Sequence, residues 1–422
     1  MDAQQAATLP ARGTDADTLL ARVRAGRADD ADWRSGRIFG LVYHPGDDAL
    51  EEALARVARE YLAENALNPR RFPSLALMER EAADIVAGLL HGTPGAGGLT
   101  SGGTESIFLA VYVAREVAAS RGVSRASIVT ARTAHPAFAK ACHLLGVDQR
   151  RAAVGPDLRA LPAAMADLVD DSTALLVASA PNYPYGVVDP VGEVAALAAS
   201  RGVLCHVDAC LGGLLLPFWE RLGEPVAPWD FRVPGVTSIS ADLHKYGYAF
   251  KGASTLLWRN TELYRTQWWL DDGAWGGGLY GAPTTAGTRP AQPIAGAWVA
   301  LHTLGEEGYL RLAGEVLDAR NRLLAGLAGI ADLRPTVPPD LSVLEVCSDE
   351  VDLHAVADVM HERGWELDRQ PGGVHLMLSP YHARVVDDLL GALSEAVREV
   401  QGGGRAGSGA TATYGTAAPP PS

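Results

Sequence analysis

The chain has 422 residues, more than one hydrophobic core usually accommodates, so two packed regions are expected. Its 36 Lys and Arg against 50 Asp and Glu leave a formal charge of −14, a surface that repels phosphate backbones and anionic lipid and argues against nucleic-acid or membrane-surface roles. With 48% hydrophobic and 20% charged residues the balance is that of a folded globular chain, and four cysteines (Cys142, Cys205, Cys210, Cys347) without a C-x-x-C pair fit a reducing cytoplasm better than a disulfide framework.

In chain order, residues 1–74 read as an amphipathic arm followed by a helical segment, and the N-terminus lacks the apolar run of a signal peptide. No stretch approaches the roughly 18 apolar residues of a membrane helix, so a soluble protein is expected. Over 75–300, β-rich runs (127–130, 174–179, 203–207, 236–240, 254–258) alternate with helical stretches (107–119, 137–145, 191–200). Most of these strands are apolar on both faces, the pattern of a parallel sheet covered by helices on either side, so a large α/β domain is predicted there. Over 301–400 a long helix (306–326), strands at 341–347 and 374–378 and a last helix (383–400) predict a smaller α+β domain. Residues 401–422, rich in Gly, Ala and Pro, are expected to form a disordered tail.

Gly276-Gly-Gly-Leu-Tyr-Gly281 satisfies G-x-G-x-x-G, but no strand precedes it and Ala-Pro-Thr-Thr follows, so the context that gives the motif meaning is missing. The histidines and cysteines show no ligand spacing, and no metal site is expected.

Four segments carry chemistry, each where a strand should end in a loop, the edge at which open α/β sheets bind ligands. Leu99-Thr-Ser-Gly-Gly-Thr-Glu-Ser106 runs into an apolar helix, so a phosphate is favoured at Gly103 and Thr104 by free N–H groups and the helix dipole. His135-Pro-Ala-Phe138 follows a strand. In His206-Val-Asp-Ala-Cys210 an acid ends an almost wholly apolar run, which is costly unless it meets a cation. Ser240-Ala-Asp-Leu-His-Lys-Tyr-Gly247 places a lysine beside a histidine at a strand terminus. A phosphate cradle, a buried acid and a lysine in neighbouring loops point to pyridoxal 5′-phosphate. That cofactor needs a Schiff-base lysine, an acid for its ring nitrogen and a dipole-rich phosphate cup.

The blocks TSGGTES, HPAF, HVDACLGG, FRVPGVTSISADLHKYGYAFKG and YGAPTTAGTRP resemble the sphingosine-1-phosphate lyase branch of the group II pyridoxal-phosphate decarboxylases, from about Phe39 to Leu304 and more weakly beyond. The resemblance implies the fold-type I (aspartate aminotransferase-like) architecture. It makes Lys245 the Schiff-base lysine and Asp208 the partner of the pyridine nitrogen, stacks His135 on the ring, and gives the phosphate to Gly103, Thr104 and His244. It further implies a cytoplasmic homodimer with shared active sites, in which Gly287 and Thr288 of Ala286-Gly-Thr-Arg-Pro290 reach the neighbour's cofactor phosphate. Tyr43, Asn65 and Lys251 match positions at the substrate end of the pocket. Two positions depart from the family pattern. In Asn65-Ala-Leu-Asn-Pro-Arg-Arg-Phe-Pro73, Asn68 replaces a histidine that helps bind the substrate's phosphate, and Phe250 replaces the usual proline before Lys251, a change expected to narrow or reshape the pocket.

The implied reaction is retro-aldol cleavage of a 2-amino-3-hydroxy substrate to an aldehyde and an amine, with Lys245, Tyr43, Tyr183 or Tyr185 as candidate bases. The alternative is α-decarboxylation of an L-amino acid, which the same Lys, Asp and His would serve; a non-catalytic binding protein is the third reading.

Overall fold

The structure, a computed structural model, describes residues 8–271, 273–330 and 332–403. Seven strands form the main sheet: β1 (Gly97–Thr100), β2 (Ser127–Ala131), β3 (Asp148–Ala152), β4 (Thr173–Ser179), β5 (Leu204–Asp208), β6 (Ser238–Ala241) and β7 (Ser254–Trp258). Their order is β1-β7-β6-β5-β4-β2-β3, parallel throughout except that β7 runs antiparallel to both β1 and β6. Pairing of β5 with β4 and β6 sets Asp208 opposite Ser179 and Ser240.

Burial on both faces is what makes these strands continuous apolar runs. Along β4, Leu175 and Val177 pack with Ile107, Val111 and Phe138 of the helices Gly103–Ser120 and Ala137–Leu145. Leu176 and Ala178 point the other way, into a core shared with the helices Val191–Arg201 and Ala291–Leu327. The latter is two helices in one: Gly305 breaks it with φ 54°, ψ −173°, so its second half begins at the predicted position.

A two-stranded ribbon, β8 (Trp269–Asp271) and β9 (Tyr280–Ala282), lies outside the main sheet. The C-terminal region forms an antiparallel sheet of β10 (Arg334–Pro335), β11 (Val343–Cys347), β12 (Asp368–Gln370) and β13 (Gly373–Met377), in the order β10-β11-β13-β12, with the helices Leu353–Glu362 and Val386–Gln401. Residues 37–44 run against this sheet: Phe39 N–H donates to Glu366 O at 3.0 Å, and its ring stacks on His382 with centroids 4.1 Å apart. The N-terminal arm contains the helix Ala16–Gly26, which buries none of its residues. The expected C-terminal tail lies, from residue 404 on, outside the described residues. No helix among the described residues is long and apolar enough to cross a membrane.

Candidate active site

A cavity of about 260 Å³ opens at the carboxyl ends of the parallel strands, lined by Ser101, Gly103, His135, Asp208, Asp242 and Lys245 among others. On one side lies the start of the Gly103–Ser120 helix. Gly103 is required there because an added Cβ would come within 2.6 Å of Cys210 Sγ and 2.9 Å of Asp242 Oδ1. Glu105, one turn in, braces the loop: its Oε2 accepts the Ser101 N–H at 2.6 Å and its Oε1 the Thr285 N–H at 2.8 Å. Burial pushes this carboxyl up, but those hydrogen bonds outweigh it, so Glu105 stays below the usual range and charged.

The floor is β5. Asp208, 7% exposed, accepts the Cys210 N–H at 3.1 Å and the Ser240 hydroxyl at 3.4 Å. Behind it His206 is fully buried between Ser238 (Nδ1, 2.9 Å) and Ser240 (Nε2, 3.2 Å), and burial lowers its pKa to about 4. This neutral imidazole holds Ser240 in place without adding charge beside the acid. His135 stands across the cavity. Its Nδ1 accepts the Ala137 N–H at 3.1 Å, which leaves the proton of the neutral ring on Nε2, and burial lowers its pKa.

The third wall is the connection between β6 and β7, which brings Asp242, His244 and Lys245 to the cavity and carries Lys251 further along, where it lies, like Tyr43, outside the lining. It folds back on itself through His244 N–H to Ala253 O at 3.0 Å and Ala249 N–H to Leu243 O at 3.0 Å. A Cβ on Gly247 would lie 2.4 Å from Leu243 O, so only glycine permits the tight fold. Two buried tyrosines pin it. Tyr246 donates its hydroxyl to Leu378 O at 2.7 Å, and Tyr309 donates to Gly247 O at 3.0 Å. Lys245 Nζ ends 2.9 Å from Asp242 Oδ2. His244 turns Nδ1 to Ala253 O at 2.7 Å, and burial lowers its pKa. Lys251 donates to His244 O at 3.2 Å and lies 5.1 Å from the centre of the Tyr43 ring, with burial lowering its pKa to about 8. Tyr43 packs edge-on to Tyr246 at 5.0 Å, and burial raises its hydroxyl well above the usual value, so it is an O–H donor and a poor base.

The remaining sequence candidates gather elsewhere. Asn65 forms a β-bridge with Pro290, Ala66 N–H donates to Arg289 O at 2.9 Å, and a Cβ on Gly287 would face Tyr280 and Leu67. Asn68 is exposed and accepts the Arg70 N–H of its own turn at 3.0 Å. Asn65, Asn68, Gly287 and Thr288 thus share one surface loop cluster, and none of them lines the cavity around Lys245. Tyr183 lies under the His375 ring at 4.4 Å, and Tyr185 is half-buried; neither lines the cavity.

A pyridoxal-dependent decarboxylase conserved domain matches residues 51–311. Sphingosine-1-phosphate lyase 1 of Rattus norvegicus is 37% identical over 424 residues, covering 99% of this chain and 74% of that protein. The structure of a sphingosine-1-phosphate lyase from Burkholderia pseudomallei K96243 superposes with a TM-score of 0.89 at 38% identity, over 95% of this chain and 94% of that one. The chain belongs to the sphingosine-1-phosphate lyase family. It is a pyridoxal-phosphate-dependent lyase of fold-type I. A glutamate decarboxylase from Lactobacillus brevis, at 19% identity and a TM-score of 0.80, shares the fold.

The residues of this lyase-family site fit the cofactor. Gly103 leaves space where any side chain would collide, the helix start presents unpaired N–H groups, and a lysine and an acid share the cavity. Of the two departures from the family pattern, Phe250 does not narrow the cavity: its ring packs onto the helix at Gly296, where a Cβ would come within 2.4 Å of it. Missing from the sequence reading were Asp242, Cys210 and Glu105. Asp242 was visible as the acid three residues before Lys245 in the same loop; Glu105 had the signal of an acid in the first turn of the cup helix. Cys210 gave none.

Proposed function

We propose that the protein cleaves the Cα–Cβ bond of a 2-amino-3-hydroxy substrate of the long-chain-base phosphate type, releasing an aldehyde and an amine. The observation that carries the reading is the placement of Lys245, Asp208 and the Gly103 cup around one cavity, in a chain so similar to sphingosine-1-phosphate lyases. Lys245 is the residue that bonds to the cofactor. Asp208 holds the pyridine nitrogen protonated, His135 covers the ring, and Gly103, Thr104 and His244 take the phosphate. When bound, the cofactor supplies an electron sink at the substrate Cα. Asp208 strengthens that sink by keeping a positive charge in a site shielded from water. Lys251, with its donor group above Tyr43, would face the substrate's polar end, and Lys245 is the candidate base that lines the cavity.

The same reading makes the enzyme a homodimer. The cluster of Asn65, Asn68, Gly287 and Thr288 then completes the partner's cavity, and the exposed Trp268, Trp269, Leu270 and Trp275 belong to the covered surface. Four free cysteines, three of them buried, fit a cytoplasmic setting.

The test supplies phosphorylated and unphosphorylated amino alcohols and L-amino acids to the purified enzyme, scoring aldehyde and carbon dioxide separately. Aldehyde without carbon dioxide supports the lyase, and carbon dioxide from an amino acid overturns it. Borohydride reduction with peptide mapping should mark Lys245; a mark on Lys251 would exchange their roles.

A further inference from the structure

Asp242 is a second buried acid in the cavity, and the roles assigned above leave it unused. It is 2% exposed, its Oδ2 lies 2.9 Å from Lys245 Nζ and 3.7 Å from His244 Nε2, and its Oδ1 has no hydrogen-bond partner among the described residues. Both oxygens face Gly103, where a Cβ would sit 2.9 and 3.0 Å from them. A carboxylate so placed is costly unless its charge is needed.

We infer that Asp242 is a positioning residue that holds Lys245 as the ammonium until the cofactor arrives, and thereby sets the pH dependence of covalent cofactor capture. This rests on Lys245 being the cofactor lysine. Burial by itself would neutralise both groups, but their mutual attraction outweighs it and holds Asp242 below, and Lys245 above, their usual values. The other groups facing Lys245 do not replace this charge. Tyr43 and Cys210 are kept protonated by burial, His135 and His244 are shifted toward the neutral ring, and Lys251 adds repulsion. Asp208, on the floor of the same cavity, is engaged by the Cys210 N–H and the Ser240 hydroxyl.

Capture needs the neutral amine. Lys245 sheds one proton to solvent, its lone pair adds to the cofactor's aldehyde carbon, and the two remaining N–H protons leave with the aldehyde oxygen as water. A C=N bond is formed and no redox partner is required.

The chain has three lysines, Lys140, Lys245 and Lys251, which makes the test direct. Apoenzyme is mixed with excess pyridoxal 5′-phosphate across a pH series, and the visible Schiff-base band is followed in time. In wild type the capture rate should climb with pH. In Asp242→Asn that climb should move at least one unit lower, so capture near neutral pH is about tenfold faster. Asp242→Glu should restore the wild-type profile. An unshifted profile in Asp242→Asn overturns the inference. Where that variant does not fold, reductive methylation of wild-type apoenzyme near pH 7 gives the answer: Lys251 should be modified and Lys245 spared, and equal modification overturns the inference. Failure of any band to map to Lys245 sinks the reading of the site itself, whereas a Lys245 band with an unshifted profile sinks the role of Asp242 alone.

Discussion

Glu105 and Thr285 are 180 residues apart in sequence, yet Glu105 Oε1 accepts the Thr285 N–H at 2.8 Å while its Oε2 holds Ser101 N–H at 2.6 Å. One buried carboxylate therefore ties the loop that enters the Gly103–Ser120 helix to the segment that contains Gly287 and Thr288. Hydrogen bonds to a charged group are each worth roughly 1.5–3 kcal/mol. Glu105→Ala should accordingly weaken pyridoxal 5′-phosphate binding about tenfold or more while the far-ultraviolet spectrum stays native. Titration of apoenzyme with the cofactor measures it, and unchanged affinity would show that the cup holds without its brace.

Asp208→Asn should lower kcat by about a hundredfold or more, since preorganised electrostatic groups of this kind contribute about 3–4 kcal/mol to the barrier. The variant keeps its contacts to Cys210 and Ser240 in number, so the fold should survive. Near-normal turnover with an unchanged cofactor spectrum would remove Asp208 from its role at the ring nitrogen.

Asn68 is neutral and caps its own turn at the surface. If the dimer brings it to the partner's substrate, Asn68→His should lower KM for a phosphorylated amino alcohol with little effect on kcat, because a remote phosphate is held alike in ground and transition states. Kinetics with phosphorylated and unphosphorylated substrates decide it. A change confined to the unphosphorylated compound would mean that the natural substrate carries no phosphate.

Mild acid should destabilise the protein through its buried histidines. His206, His375 and His382 are buried with pKa values of about 4, against an ordinary 6.5, so the unfolded chain takes up protons that the folded chain refuses. Their contribution is complete above pH 6.5 and is lost as pH falls toward 4. Asp189, pushed up to about 6 by burial, acts in the opposite direction over the same window. With His44, also lowered to about 4, the shifted histidines outnumber this acid, so stability should fall as the pH drops from 6.5 toward 4. Urea denaturation at several pH values tests the slope; a flat response from pH 6.5 to 4.5 would mean that these histidines titrate normally.

The chain's pattern made the parallel core readable because Leu175, Leu176, Val177 and Ala178 are all apolar, and only two covered faces use such a run. β3 was missed, since Asp-Gln-Arg-Arg-Ala at a sheet edge has one solvated side and no apolar signature. β1 is two glycines, a leucine and a threonine, identifiable only through its pairing with β7. Lys245, Asp208, His135 and Gly103, picked out from segments that follow strands, all line the one cavity. Thr288 lies away from the cavity of its own chain, as the family resemblance implies, but Asn68 gave no sign of doing so, for that depends on how the Asn65 and Pro290 loops pair in space.

The antiparallel run of β7 gives the lysine loop a fixed length. Other sheet connections cross over through helices and tolerate insertions at their turns, but Asp242 to Ala253 must return directly from β6 to its neighbour, with Ala241 set opposite Thr255. Each residue added or removed there would shift Lys245 along the rim or break the Tyr246 and Tyr309 anchors. New specificities in this scaffold would therefore arise in the surrounding loops, while the spacing between these two strands stays constant.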